Sequence, residues 1–101
     1  GGETTARALQ AATVHSLRIA AERKLRSIAF PAVGTGIAGF PLAECARIML
    51  HETAEYLKNP TSLEKVYFVL FDERGLAAFE KVWAEMAARG ELDDAPAVDR
   101  P

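Results

Sequence analysis

The chain has one cysteine, two histidines, one tryptophan and no long apolar run among its 101 residues. The lone Cys45 excludes an internal disulfide. With no other cysteine and no histidine at ligand spacing, it also excludes a cysteine-based zinc site. No metal and no resident cofactor are therefore expected, and a reducing compartment fits. A membrane helix needs about 20 consecutive apolar residues, and nothing of that kind occurs. The N-terminus lacks a basic region followed by an apolar core. A cytoplasmic chain with no membrane partner is the expectation. Charge of one sign is lacking as well, since 12 Lys and Arg stand against 14 Asp and Glu for a net charge of -2. Only a local basic cluster exists, at Arg23, Lys24 and Arg26, so nucleic acid is not the expected partner.

What is present is apolar periodicity, with half of all positions hydrophobic. Leu9, Thr13, Leu17 and Ala20 recur at helical spacing and predict a helix over residues 4–24, with capping chemistry at Glu3 to Thr5. Leu42, Cys45, Ala46, Met49, Thr53 and Tyr56 predict a second helix, which Pro41 opens. Leu76, Phe79, Val82, Trp83 and Met86 predict a third. Between them, residues 27–32 and the run "KVYFVLF" at 65–71 are short, apolar and rich in β-branched or aromatic side chains. Both read as buried strands. The last residues, 90–101, combine charge, proline and almost nothing apolar, and read as a disordered tail or linker.

The order helix, strand, helix, strand, helix predicts an α/β fold with parallel strands and a right-handed crossover. Two strands apolar on both faces make an incomplete sheet. The expectation is that residues 1–89 form one part of a larger α/β domain. A chain opening "GGETT" without an initiating Met suits a cut through a loop. The sheet would be completed by a missing N-terminal half or by self-association.

The stretch "VGTGIAGFP" leaves the carboxyl end of the first strand, where open parallel sheets bind ligands, and "DERG" leaves the second at the same edge. Gly34, Gly36 and Gly39 allow backbone N–H groups to turn inward as an anion nest ahead of a helix N-terminus. The loop reads either as a phosphate cradle or as a tight strand-to-helix turn. Its G-x-G-x-x-G spacing also matches a dinucleotide turn. However, Pro41 falls where that motif wants a backbone donor, and no acidic residue ends a strand about 20 residues on.

The run Ala29, Phe30, Pro31, Ala32, Gly34, Thr35, Gly36, Ile37, Gly39, Phe40, Pro41, followed by "KVYFVLFDERGLAAFEKV", resembles the C-terminal half of a macrodomain. Macrodomains are three-layer α/β/α modules that bind ADP-ribose and in some branches remove it from proteins. The resemblance covers the first helix through about Met86. It implies ADP-ribose or an ADP-ribosylated protein as partner. Gly34, Thr35, Gly36, Ile37, Ala38 and Gly39 would wrap the diphosphate and distal ribose, Phe71 would pack on adenine, and Asp72 would lie beside it. It further implies that ADP-ribosyl hydrolase activity depends on the N-terminal half. The family's acidic adenine-recognition residue, its Asn-rich segment and its first Gly loop are not in this chain. Ala38 stands where many relatives carry Tyr or Phe, which puts catalysis in doubt. The alternatives are a Rossmann-like NAD-binding fragment and a ligand-inactive, self-associating half-domain.

Other chemistry-bearing residues have blander readings. His15 and His51 lie on predicted helices without a local ligand partner and read as surface or boundary residues. Cys45 shares an apolar stripe and reads as core rather than nucleophile. Trp83 reads as packing. Glu52, Glu55 and Glu73 form no pair and read as solvated.

Overall fold

A computed structural model describes residues 2–31, 41–70 and 72–92. The element order is α1 (Gly2–Glu22), β1 (Ser27–Pro31), α2 (Leu42–Leu57), β2 (Lys65–Val69) and α3 (Glu73–Ala88). The two strands pair in parallel, Ser27 opposite Lys65 through to Pro31 opposite Val69. The predicted α/β class and element order are therefore observed. The predicted 90–101 tail falls mostly outside the described residues.

Each helix forms around its apolar stripe. On α1 the buried positions are Thr13, Leu17 and Ala20. The Thr13 hydroxyl satisfies itself by donating to the Leu9 carbonyl at 2.8 Å. On α2 they are Cys45, Ala46, Met49, Leu50, Thr53 and Ala54, and on α3 they are Gly75, Phe79, Val82 and Met86. The helix starts differ from expectation by a residue or two. Gly2 is already helical, so Glu3 to Thr5 lie within α1 rather than ahead of it. Pro41 is the N-cap of α2 with extended backbone (φ -62°, ψ 137°), not its first helical residue. Its carbonyl accepts from the Cys45 N–H at 3.0 Å.

The core has two parts joined by aromatic rings. Leu17 and Ala20 of α1 bury with Leu63 and Val66, and the α2 and α3 stripes bury together. Phe30 and Phe68 pack against both parts. Their rings stack at 5.6 Å between centroids, and Phe68 meets Phe79 at 5.4 Å. Fully burying a Leu or Phe side chain is worth about 1.5–3 kcal/mol; Phe79 is buried, whereas Phe30 and Phe68 are partly buried and join the two parts.

Of the two strand faces that the sequence reads as apolar, the described residues of this chain cover one. Ile28, Phe30, Val66 and Phe68 share one face and pack on the core clusters. Because strand side chains alternate, Ser27, Ala29, Lys65, Tyr67 and Val69 point the other way. Of these only Tyr67 is half-buried and the rest are exposed, with Val69 at 50 %. Among the described residues no element covers that face. Ala29 and Val69 lie on the side that the described residues leave open.

Candidate functional site at the carboxyl edge of the sheet

The register sets the chain's two exits side by side. Pro31 and Val69, the last residues of the two strands, face each other across the ladder. From this edge the chain passes through residues 32–40 to α2, and through Leu70 and residue 71 to α3. Both helices thus begin near the carboxyl ends of the strands, where helix N–H groups and the positive ends of helix dipoles favour an anion.

Gly34, Thr35, Gly36, Ile37, Ala38, Gly39 and Phe71 lie outside the described residues. Asp72 is within them and has a defined local task. It is the N-cap of α3 in extended conformation, and its Oδ1 accepts from the Gly75 N–H at 3.0 Å. One carboxylate oxygen is therefore already engaged in ending the strand and starting the helix. Gly75 sits close beneath, where an added Cβ would meet Asp72 Oδ1 and Leu70 Cβ at 3.6 Å, ordinary contact.

The remaining candidates divide as follows. Cys45 is buried at 1 % exposure, its Sγ 4.0 Å from Met49 Sδ, and burial pushes its thiol pKa up. A raised pKa and no access are the opposite of what a nucleophile needs. His15 and His51 are exposed; a His15 Nδ1 contact to Arg18 spans 3.4 Å. Trp83 is half-buried against the α2–α3 core. Glu55 is exposed, and its hydrogen bond to Lys58 at 2.6 Å, with the charge of that ammonium, lowers its pKa. Glu52 departs from the solvated reading, for its side chain is largely covered (17 % exposed) and its carboxylate accepts from Gln10 of α1 at 3.3 Å.

Sequence reasoning missed one grouping. Arg7, Arg47, His51 and Arg89 line a single groove of about 410 Å³ on the helical layer. They are dispersed along the chain, and no local spacing brings them together; only the packing of three helices does.

A parallel sheet edge with two helix starts and a Gly-rich exit has counterparts among known proteins. A family model for the macro domain matches residues 1–49. The O-acetyl-ADP-ribose deacetylase of Enterobacter sp. (strain 638) is 38 % identical over 96 residues, covering 94 % of this chain and 52 % of its own length. The chain belongs to the macrodomain family. The solved macrodomain of Trypanosoma brucei superposes with a TM-score of 0.70 at 34 % identity, over 75 % of this chain and 32 % of that one. The Oceanobacillus iheyensis macrodomain gives a TM-score of 0.73 at 29 % identity, over 83 % and 44 %. This macrodomain chain thus spans about half the length of the curated relatives it matches.

Proposed function

We infer that this chain supplies the diphosphate-cradling half of a macrodomain site for ADP-ribose or an ADP-ribosylated ligand. In this reading, backbone N–H groups of Gly34, Gly36, Ile37 and Ala38 hold the diphosphate, Thr35 and Gly39 complete the turn, and Phe71 stacks on adenine beside Asp72. The observation that carries it is the register, Pro31 beside Val69. It brings the Gly-rich exit and the Phe71 exit to one edge, with α2 starting immediately after the loop. Hydrolysis of an ADP-ribosyl or related ester bond belongs to the complete domain and not to this half alone. The names of the deacetylase relatives support that chemistry at family level.

Calorimetry with ADP-ribose, run on this chain and on the chain joined to its native upstream sequence, tests the reading. Gly36→Val should weaken binding by about tenfold or more, because a branched side chain blocks backbone approach to the anion. Thr35→Ala should change it by no more than about twofold. Equal losses from both variants would refute a backbone cradle. Tighter binding of NAD than of ADP-ribose would favour the Rossmann-like alternative.

The open sheet face favours one second reading, a half-domain that binds no ligand alone and associates through that face. It gains ground if the joined form binds ADP-ribose and this chain does not.

A further inference from the structure

The turn from α1 into β1 holds a run of cations around one leucine, Arg23, Lys24, Leu25 and Arg26. It lies at the amino ends of the strands, where Ser27 faces Lys65, so roughly 13 Å of extended chain separates it from the carboxyl edge. Its backbone is fixed. The Lys24 and Leu25 N–H groups bond back to the Ala21 and Ala20 carbonyls, the Arg26 carbonyl accepts from the Glu64 and Lys65 N–H groups, and the Ser62 hydroxyl donates to the Leu25 carbonyl at 2.8 Å. Residues 22–27 are nonetheless all exposed. Leu25 is 46 % exposed and Ile19, on the same helix face as Arg23 one turn on, is 37 % exposed. Arg26 shares Glu64 at 3.5 Å with both side chains largely in solvent, a pairing worth little. Among the described residues Arg23 and Lys24 have no side-chain hydrogen bond or ion pair. Over residues 18–27 and the facing 55–65, Arg18, Arg23, Lys24, Arg26, Lys58 and Lys65 stand against Glu22, Glu55 and Glu64, an excess of three cations in a chain of net charge -2.

We propose that this corner docks an acidic peptide segment of a partner protein, with carboxylates on Arg23, Lys24 and Arg26 and an apolar side chain over Leu25 and Ile19. Charge complementarity selects an anionic partner, and the exposed leucine and isoleucine select one with an apolar side chain. A nucleic acid strand would want aromatic faces for its bases, and residues 18–27 contain none. A lipid surface would want a broader apolar face than two side chains. Because the backbone is held by hydrogen bonds at both segments, little ordering is needed on binding. Lys24 is a second, independent sign. Its φ of 57° is left-handed, a position where glycine sits without strain, so the helix end keeps a cation at a backbone cost. Cations near a helix C-terminus also complement its dipole; that role alone requires stability to fall when Lys24 is removed. The inference does not depend on the ADP-ribose reading, which concerns the carboxyl edge of the sheet.

The test is an NMR titration of the whole chain, at constant ionic strength, with a short glutamate peptide carrying a pair of leucines. The same peptide with serine in place of leucine and a single-stranded oligonucleotide serve as comparisons, and cosedimentation with phosphatidylserine vesicles runs alongside. Saturable shifts at positions 19 and 23–26 are expected, with the leucine peptide the tightest ligand. Arg23→Gln and Lys24→Gly should each weaken it about two- to fivefold, the range of an exposed ion pair. Lys24→Gly should do so while melting at or above the wild-type temperature, an outcome that a purely structural lysine would not give. Leu25→Ser should bring the leucine peptide down to the affinity of the serine peptide. Lys81→Gln, an exposed cation on α3, should leave every affinity unchanged. Wild-type affinity in both cation variants, no effect of Leu25→Ser, shifts only elsewhere or no saturation would each overturn the proposal. Tighter binding of the oligonucleotide or the vesicles would overturn it in favour of that partner.

Discussion

Asp72 stands between a strand and a helix, and its side chain decides how the one becomes the other. Its Oδ1 to Gly75 N–H bond satisfies one of the donors that every helix N-terminus leaves open. Asp72→Ala should lower stability by about 1 kcal/mol in urea unfolding, while Asp72→Asn, which keeps an accepting oxygen, should stay within a few tenths of wild type. If Asn and Ala prove equally destabilising, capping is not what the side chain contributes. The sequence reading put Asp72 beside a ligand and did not anticipate the cap, although an Asp before a helix is a familiar start signal. Cys45 was more legible. Its place on the stripe with Ala46 and Met49 already implied a packed thiol, and burial at 1 % exposure agrees. Glu52 was less so, because a partner on another helix, Gln10, has no trace in local spacing.

Two helix ends share one solution with different residues. In α1 the Leu25 N–H bonds the Ala20 carbonyl and the Lys24 N–H bonds Ala21, and in α3 the Glu91 N–H bonds Met86 and the Gly90 N–H bonds Ala87. Both are Schellman closures, which need a left-handed residue at the turn. Gly90 supplies it at φ 74°, but in α1 the residue is Lys24 at φ 57°. A left-handed L-residue costs about 1–2 kcal/mol. Part of any gain from glycine is offset by its freer unfolded chain and by losing a cation at a helix C-terminus. Lys24→Gly should therefore raise stability by about 0.5 kcal/mol, read as a higher urea midpoint at unchanged slope. A lower midpoint would mean that the charge matters more than the backbone. The same position explains why the end of α1 was misplaced. Without Gly or Pro there, the apolar pattern carried the expected helix on to Lys24, two residues past Glu22.

At the scale of the molecule, the decisive property is a sheet that the described residues pack on one side. Sequence could assign strands to "KVYFVLF" and "SIAFPA" because apolar, β-branched and aromatic letters cluster there. It could not say which parity would be covered, since that depends on where the helices lie. The proposed ligand loop, Gly34 to Gly39, lies outside the described residues; motif and register carry its reading. Among the described residues, the open face, with Val69 half exposed on a sheet of two strands, is a poor surface to leave in water. At micromolar concentration the chain by itself should associate, most simply as a two-fold dimer. Light scattering across a dilution series checks this, and a monodisperse monomer throughout would contradict it. Within one chain, the ring ladder Phe30, Phe68, Phe79 has its own consequence. Because the same two rings wall both halves of the core, neither can loosen without stripping the other of a neighbour. The helices before and after the sheet are thus bound into a single melting unit, like two rooms sharing one supporting wall.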